Sequence, residues 1–321
     1  MRKAFAFFLT LLAATPAMAA QTAPVTAAGD GSYLRETDYR VQAIVYRLGA
    51  AGRALCSETL PLSGLAFHHL AEYGAADRAR AIADYGIDRG PGILSVIEGS
   101  PAARAGLRAG DVLTAVNGTP LPDPATIAAA ADWRPLTVAT ESGIEDQLRL
   151  GPARLDLLRA GQPLTVTLVA EPGCPARGRL ARSNQANAFA DGRYAIMTTR
   201  FLGFFRNDGE LAVAMAHELA HNILRHPQQL EAQGVPHGMM RHLGRNARLV
   251  RATEIEADRL SVRLLAAAGY DLDSIMPFWE RVHGRSDSVL YLISAHPSLS
   301  ARRRVIEAEI AAVRAAAAAR P

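Results

Sequence analysis

The segment running from Leu211 to Leu224 leaves almost no side of a helix for water. Leu211, Val213, Ala214, Met215, Leu219, Ala220, Ile223 and Leu224 are apolar nearly all round at 3.6 residues per turn, so the helix has to be buried. Yet it carries His217, Glu218 and His221. An unpartnered polar group in a core costs about 2–7 kcal/mol, so the fold must bring partners to these three. Their order, His217-Glu218-Leu219-Ala220-His221, is the H-E-x-x-H pattern. Imidazoles four apart project from one face and can grip one zinc ion, while the glutamate beside them acts as a base. Asn207 or Asp208 can cap the helix, Glu210 sits in its first turn, and Pro227 is expected to end it after His226.

A catalytic zinc site needs a third protein ligand and an open position for water. A polar loop with Gly234, Pro236, Gly238 and Gly244 leads to a second helix, about Arg248 to Ala268, stopped by Gly269. On it Glu254 and Asp258 stand one turn apart on one face, and Glu256 points away. Glu254, 33 positions after His221, is the candidate third ligand. Asp258 can accept a hydrogen bond from a ligand imidazole and fix its tautomer. A surface carboxylate pair is the plainer alternative, and the placement on the next helix favours the metal site. Further helices are expected from Asp273 to Val282 and from Ser300 onward. His68, His69, His237, His242 and His283 are isolated in sequence and read as ordinary.

Arg2 and Lys3, the apolar run Ala4 to Ala14 and the triplet Ala17-Met18-Ala19 read as a signal peptide over 1–19, cut after Ala19 or Ala20. The run is too short to span a bilayer, no Cys follows it to carry a lipid, and no later stretch is apolar for about 18 residues. A periplasmic or secreted protein without an integral membrane segment is expected. Residues 20–35 read as a polar, disordered leader. About 300 residues then remain, enough for two domains. Without Arg2 and Lys3 the net charge of +4 becomes +2, and Arg302-Arg303-Arg304 is the one basic cluster, so no nucleic-acid partner is expected.

The middle of the chain has another texture. Gly92 to Ile97 is a strand run, and Ala102 to Leu107 a short helix. Gly110 to Gly118 is a turn, a strand and an Asn-Gly turn, and Leu164 to Val169 an alternating strand. The stretch GSPAARAGLRAGDVLTAVNG, Gly99 to Gly118, resembles a PDZ domain of the bacterial kind, placed at 76–170. It includes an Ala-rich helix from Pro124 to Ala131 and an irregular stretch up to Pro152. The resemblance implies a small β-barrel or sandwich with helices that binds an extended peptide by strand addition. The peptide carboxylate would be held near Tyr85-Gly86-Ile87. The alternative is a groove filled by its own chain.

HELAH is followed by Glu254-Ile255-Glu256-Ala257-Asp258, then by Ala268-Gly269-Tyr270-Asp271 and His296-Pro297, and is preceded by Asn187-Ala188-Phe189-Ala190. In this combination the segment from about Arg182 to Ile306 resembles the HtpX/BepA/CAAX-prenyl-protease family of zinc metallopeptidases. The resemblance implies one Zn2+ per chain on His217, His221 and Glu254, with Glu218 as the catalytic carboxylate and Asp258 as a supporting aspartate. Asn187 to Ala190 would be the edge strand that takes substrate. His226 matches a recurrent position without a ligand role and is expected to pack at the helix end. His296 and Arg302 match an H-P-x-x-x-x-R pattern. Arg302 would orient this segment or stabilise the oxyanion. His296 could instead approach the zinc in a latent state. The chain departs from the multi-spanning members by lacking membrane helices, and from the BepA type by lacking evident tetratricopeptide repeats.

The expected fold is α+β: a mainly helical zincin-type peptidase domain with a small sheet, formed by 36–75 and 171–321 and interrupted by the PDZ domain. Cys56 and Cys174 flank the insertion. An insertion is tolerated when its ends lie close together. A bridge across these 118 positions would staple them, worth about 4–5 kcal/mol by loop entropy; two free buried thiols are the alternative. The expected activity is zinc-dependent endopeptidase action on unfolded or misassembled envelope proteins, with the PDZ module gripping peptides. The rival is a PDZ-bearing holdase or adapter on a silent or latent zinc domain.

Overall fold

The computed structural model describes residues 31–122, 134–236, 241, 243–284 and 298–319. The signal peptide, the helix expected at Pro124 to Ala131, and His237, His242 and His296 lie outside the described residues.

Helix α1 (Gly31–Ala51) opens the described chain and begins inside the 20–35 stretch read above as a leader. It buries Val41, Ile44, Val45 and Leu48, one helical stripe. Strands β1 (Leu60–Leu62) and β2 (Leu65–His68) follow, then α2 (Arg78–Tyr85), β3 (Gly92–Val96), α3 (Pro101–Arg104), β4 (Val112–Val116) and β5 (Thr119–Pro120). Helix α4 (Arg134–Leu150) leads to β6 (Ala153–Arg159), β7 (Gln162–Leu168), β8 (Glu171–Gly173), β9 (Gly178–Ala181), β10 (Ala188–Ala190) and β11 (Ala195–Thr198). The rest is helical: α5 (Thr199–Leu202), α6 (Asp208–Ile223), α7 (His226–Ala232), α8 (Gly244–Ala267), α9 (Ile275–His283) and α10 (Leu299–Ala318). None of the described helices is long and apolar enough to cross a membrane.

Two bodies result, an α+β arrangement. In the first, an antiparallel sheet runs β2-β3-β4-β6-β7, with β5 paired to β4. Phe67, Ile93, Leu113, Leu155 and Leu157 fill its core against Ile144 and Leu148 of α4. Ser100 caps α3 by accepting from Ala103 N at 3.3 Å, with Pro101 at the first helical position. Asn117 and Gly118, both at positive φ (49° and 78°), make the tight β4–β5 turn.

The sheet corrects one expectation. Tyr85-Gly86-Ile87 cannot be the loop that precedes a free strand edge, because the strand after it, β3, lies inside the sheet between β2 and β4. Ile87 is buried with Leu70, Tyr73 and Ala81. The free edge beside α4 is β2, reached through Ser63-Gly64, and the sheet therefore starts at Leu65, ahead of residue 76.

In the second body, α6 is central. Every residue from Glu210 to Ile223 is buried, between α1, α8 and a three-stranded sheet β10-β11-β9. Asn207 supplies the cap, its side chain accepting from Glu210 N at 3.0 Å. The helix stops at Ile223, three residues short of His226. Arg225 turns into the left-handed region (φ 57°), and α7 starts afresh with Pro227 in its first turn, where a missing N–H costs nothing. Gly178 lets β9 run against α1, since a Cβ there would lie 3.0 Å from Val41 O.

The chain passes between the two bodies at a paired crossing. Strands β1 and β8 pair antiparallel, Leu60 opposite Gly173, and Cys56 and Cys174 beside them form a disulfide with Cα atoms 5.6 Å apart.

Candidate metal centre

His217 and His221 project from α6 toward Glu254 on α8, the helix packed alongside. His217 Nε2 and His221 Nε2 are 3.2 Å apart. Glu254 Oε2 is 3.3 Å from the first, and Oε1 is 3.5 Å from the second. A tetrahedron with bonds of about 2.0–2.1 Å has edges of about 3.3 Å, so the two nitrogens stand one such edge apart, and each has one oxygen of the Glu254 carboxylate at close to the same distance. Among the described residues this is the one group of three or more His, Cys, Asp and Glu whose ligand atoms lie close enough together to hold a metal ion. Burial alone would keep His217 neutral, but hydrogen bonds to Asp258 and Glu254 outweigh it and push its pKa up to about 9. The cluster is built to hold positive charge. Glu218, also buried, lies between the two histidines on α6.

Each imidazole has a supporter behind it. His217 Nδ1 is 3.0 Å from Asp258 Oδ1, one turn beyond Glu254 on α8. Asp258 Oδ2 accepts from Arg302 Nε at 3.1 Å. The Arg302 guanidinium is buried over the Trp279 ring, 3.8 Å from its centroid, with Nη2 3.9 Å from Glu254 Oε2. Arg302 thus sits behind the ligands, held by Asp258 and Trp279.

The second support was not foreseen in the sequence. His221 Nδ1 lies 3.0 Å from His226 Nδ1, and His226 Nε2 lies 3.2 Å from Glu256 Oε2. His226 is fully buried, and burial pushes its pKa down although Glu256 pulls the other way. Neutral His226 has one proton. If His221 offers Nε2 to a metal, its Nδ1–H donates to His226 Nδ1, and the His226 proton sits on Nε2 facing Glu256. Glu256 does point away from Glu254, and toward this histidine. His226 is more than helix-end packing.

Asn187 to Ala190 form β10 and the residue before it. Strand β10 is an edge of its sheet: Ala188 pairs with Met197 on β11, and its other side has no strand partner among the described residues. Asn222 Oδ1 on α6 accepts from Gly192 N at 2.8 Å and ties the β10–β11 turn to the helix that carries His217 and His221.

Residues 165–240 and 237–310 match the model of Peptidase family M48, and residues 92–133 match that of the PDZ domain. Two curated relatives are similar over shorter stretches. The periplasmic pH-dependent serine endoprotease DegQ of Escherichia coli (strain K12) is 36% identical over 92 residues, 29% of this chain and 17% of DegQ. HhoA of Synechocystis sp. is 36% identical over 76 residues, 24% of this chain and 16% of HhoA. The chain spans about one sixth of the length of these relatives. Among solved structures, the HtrA3 PDZ domain bound to a phage-derived ligand is 19% identical. It covers 36% of this chain and 89% of that one, with a TM-score of 0.26.

Proposed function

We propose that this chain, which combines an M48 metallopeptidase with a PDZ domain, is a zinc-dependent endopeptidase that cuts unfolded polypeptides outside the cytoplasm. The spacing of His217, His221 and Glu254 at tetrahedral-edge distances carries the reading. Zinc, when bound there, acidifies a water molecule and polarises the scissile carbonyl. Glu218 takes the proton as the water oxygen bonds to the carbonyl carbon, and delivers it to the amine nitrogen as the C–N bond breaks. Asp258 holds the His217 proton on Nδ1 and leaves Nε2 free to ligate; His226 does the same for His221. Arg302 is a positioning residue that fixes Asp258. An extended substrate lies along β10, which has a free edge against the ligand helix. The signal-like residues 1–19, the disulfide and the name of DegQ support a periplasmic or secreted location and envelope substrates.

Glu218→Gln tests the reading. It is expected to keep zinc content and thermal midpoint while losing at least about a hundredfold in cleavage of denatured casein. Casein cleavage at the wild-type rate would remove Glu218 from its role. If neither wild type nor His296→Ala cleaves, the holdase reading takes its place.

A further inference from the structure

In strand addition a peptide pairs with outward-facing backbone groups of an edge strand. Here that edge is β2, with α4 as the other wall of the groove. The groove is already filled, and the filling comes from the peptidase sheet. Arg179 of β9 donates from Nη2 to Phe67 O on β2 at 3.0 Å and to Glu141 Oε1 on α4 at 3.0 Å. It bridges both walls. Its side chain is 15% exposed and that of Glu141 9%. Glu141 also accepts from Tyr194 Oη at 2.6 Å and from Arg193 Nη2 at 3.2 Å, while Arg177 Nε donates to Glu145 on α4 at 2.8 Å. A partly open pocket with about 70 Å³ of room for water-sized molecules remains beside β2, α4 and these arginines.

We propose that Arg179 is a plug: it holds the PDZ groove shut by occupying the β2 acceptor that an incoming peptide needs, so that groove occupancy is coupled to the peptidase sheet. The reason is competition for one carbonyl. A peptide that adds to β2 takes Phe67 O and its neighbours, and Arg179 has to leave both Phe67 and Glu141. Arg179 also ties the groove to the second body. It belongs to β9, whose Leu180 N donates to Asp38 Oδ1 of α1 at 2.8 Å, and β9 pairs in parallel with β11, which carries β10. Displacing the plug therefore removes a tie between β2 and the sheet that contains β10. The inference rests on the reading of this chain as a peptide-binding peptidase, but groove opening is measured by binding alone.

The test uses the full chain carrying Glu218→Gln, so that the probe is not cut. The probe is a fluorescein-labelled pool of random decapeptides ending in valine with a free carboxylate, read by anisotropy. Arg179→Ala and the milder Glu141→Gln are expected to bind it about ten- to hundredfold more tightly than the parent, the range of one charge-assisted hydrogen bond. Equal binding overturns the proposal. Weaker binding by Arg179→Ala also overturns it and makes Arg179 an anchor for the peptide carboxylate. Should the variants fail to fold, hydrogen exchange on the parent chain decides. Saturating probe should protect amides 65–68 and deprotect 178–181, and unchanged exchange at 178–181 refutes the coupling. If casein is not cut by wild type while the binding difference appears, only the peptidase reading falls.

Discussion

At the scale of single residues, the candidate centre is a pair of ligand imidazoles, each held from behind. The His217 support was legible: Glu254 and Asp258 are four apart, and a helix brings such a pair onto one face whatever else the chain does. The His221 support was not. It needs the left-handed residue at Arg225 to turn the chain so that His226, five positions on, comes back under His221. No periodicity encodes that. His226→Leu removes the acceptor for His221 Nδ1–H and is expected to weaken zinc binding by about 10–100-fold, read by chelator competition. Glu254→Ala is expected to purify without zinc, measured by metal analysis. Arg302→Met leaves one oxygen of buried Asp258 without its guanidinium, and urea unfolding should show a loss of about 3–5 kcal/mol.

At the scale of elements, α6 was readable because its apolar residues have no polar face to confuse them, while β2 was hidden. β2 is four residues long, and its edge position follows from pairing with β3 across the whole α2 excursion. Likewise β1 finds β8 more than a hundred positions away, a partnership that local pattern does not carry. The end of β2 and the turn after it also set a pH response. Burial lowers His68 to about 3 and His69 to about 4, from 6.5, and raises Glu72 from 4.5 to about 7. Around pH 5.5 the unfolded chain binds two protons at the histidines that the folded chain refuses, and the folded chain keeps one at Glu72 that the unfolded chain releases. The unfolded state thus binds one proton more, and stability falls as pH drops, by about 1.4 kcal/mol per unit from this cluster. Glu72→Gln removes the opposing proton and should double that slope between pH 6 and 5, measured by urea midpoints.

At the scale of the whole molecule, a change of texture marks the strand and turn run from Gly92 to Gly118, but the contact of its sheet with the rest of the chain leaves no mark in the sequence. The plug depends on Arg179 meeting a carbonyl 112 positions away, and nothing in the sequence near Arg179 marks it. The disulfide belongs to this scale too. Replacing Cys56 and Cys174 by Ser should cost about 4–5 kcal/mol in the loop-entropy account, seen as a lower urea midpoint under non-reducing conditions.

The same bridge gives the chain a modular grammar. Because Cys56 and Cys174 are 5.6 Å apart at Cα, everything between them hangs on a gap that one or two residues can span. Joining position 56 to position 174 directly would leave the course of the backbone on either side unchanged, while the loss of Arg179's partners would be felt on the far side of the cut.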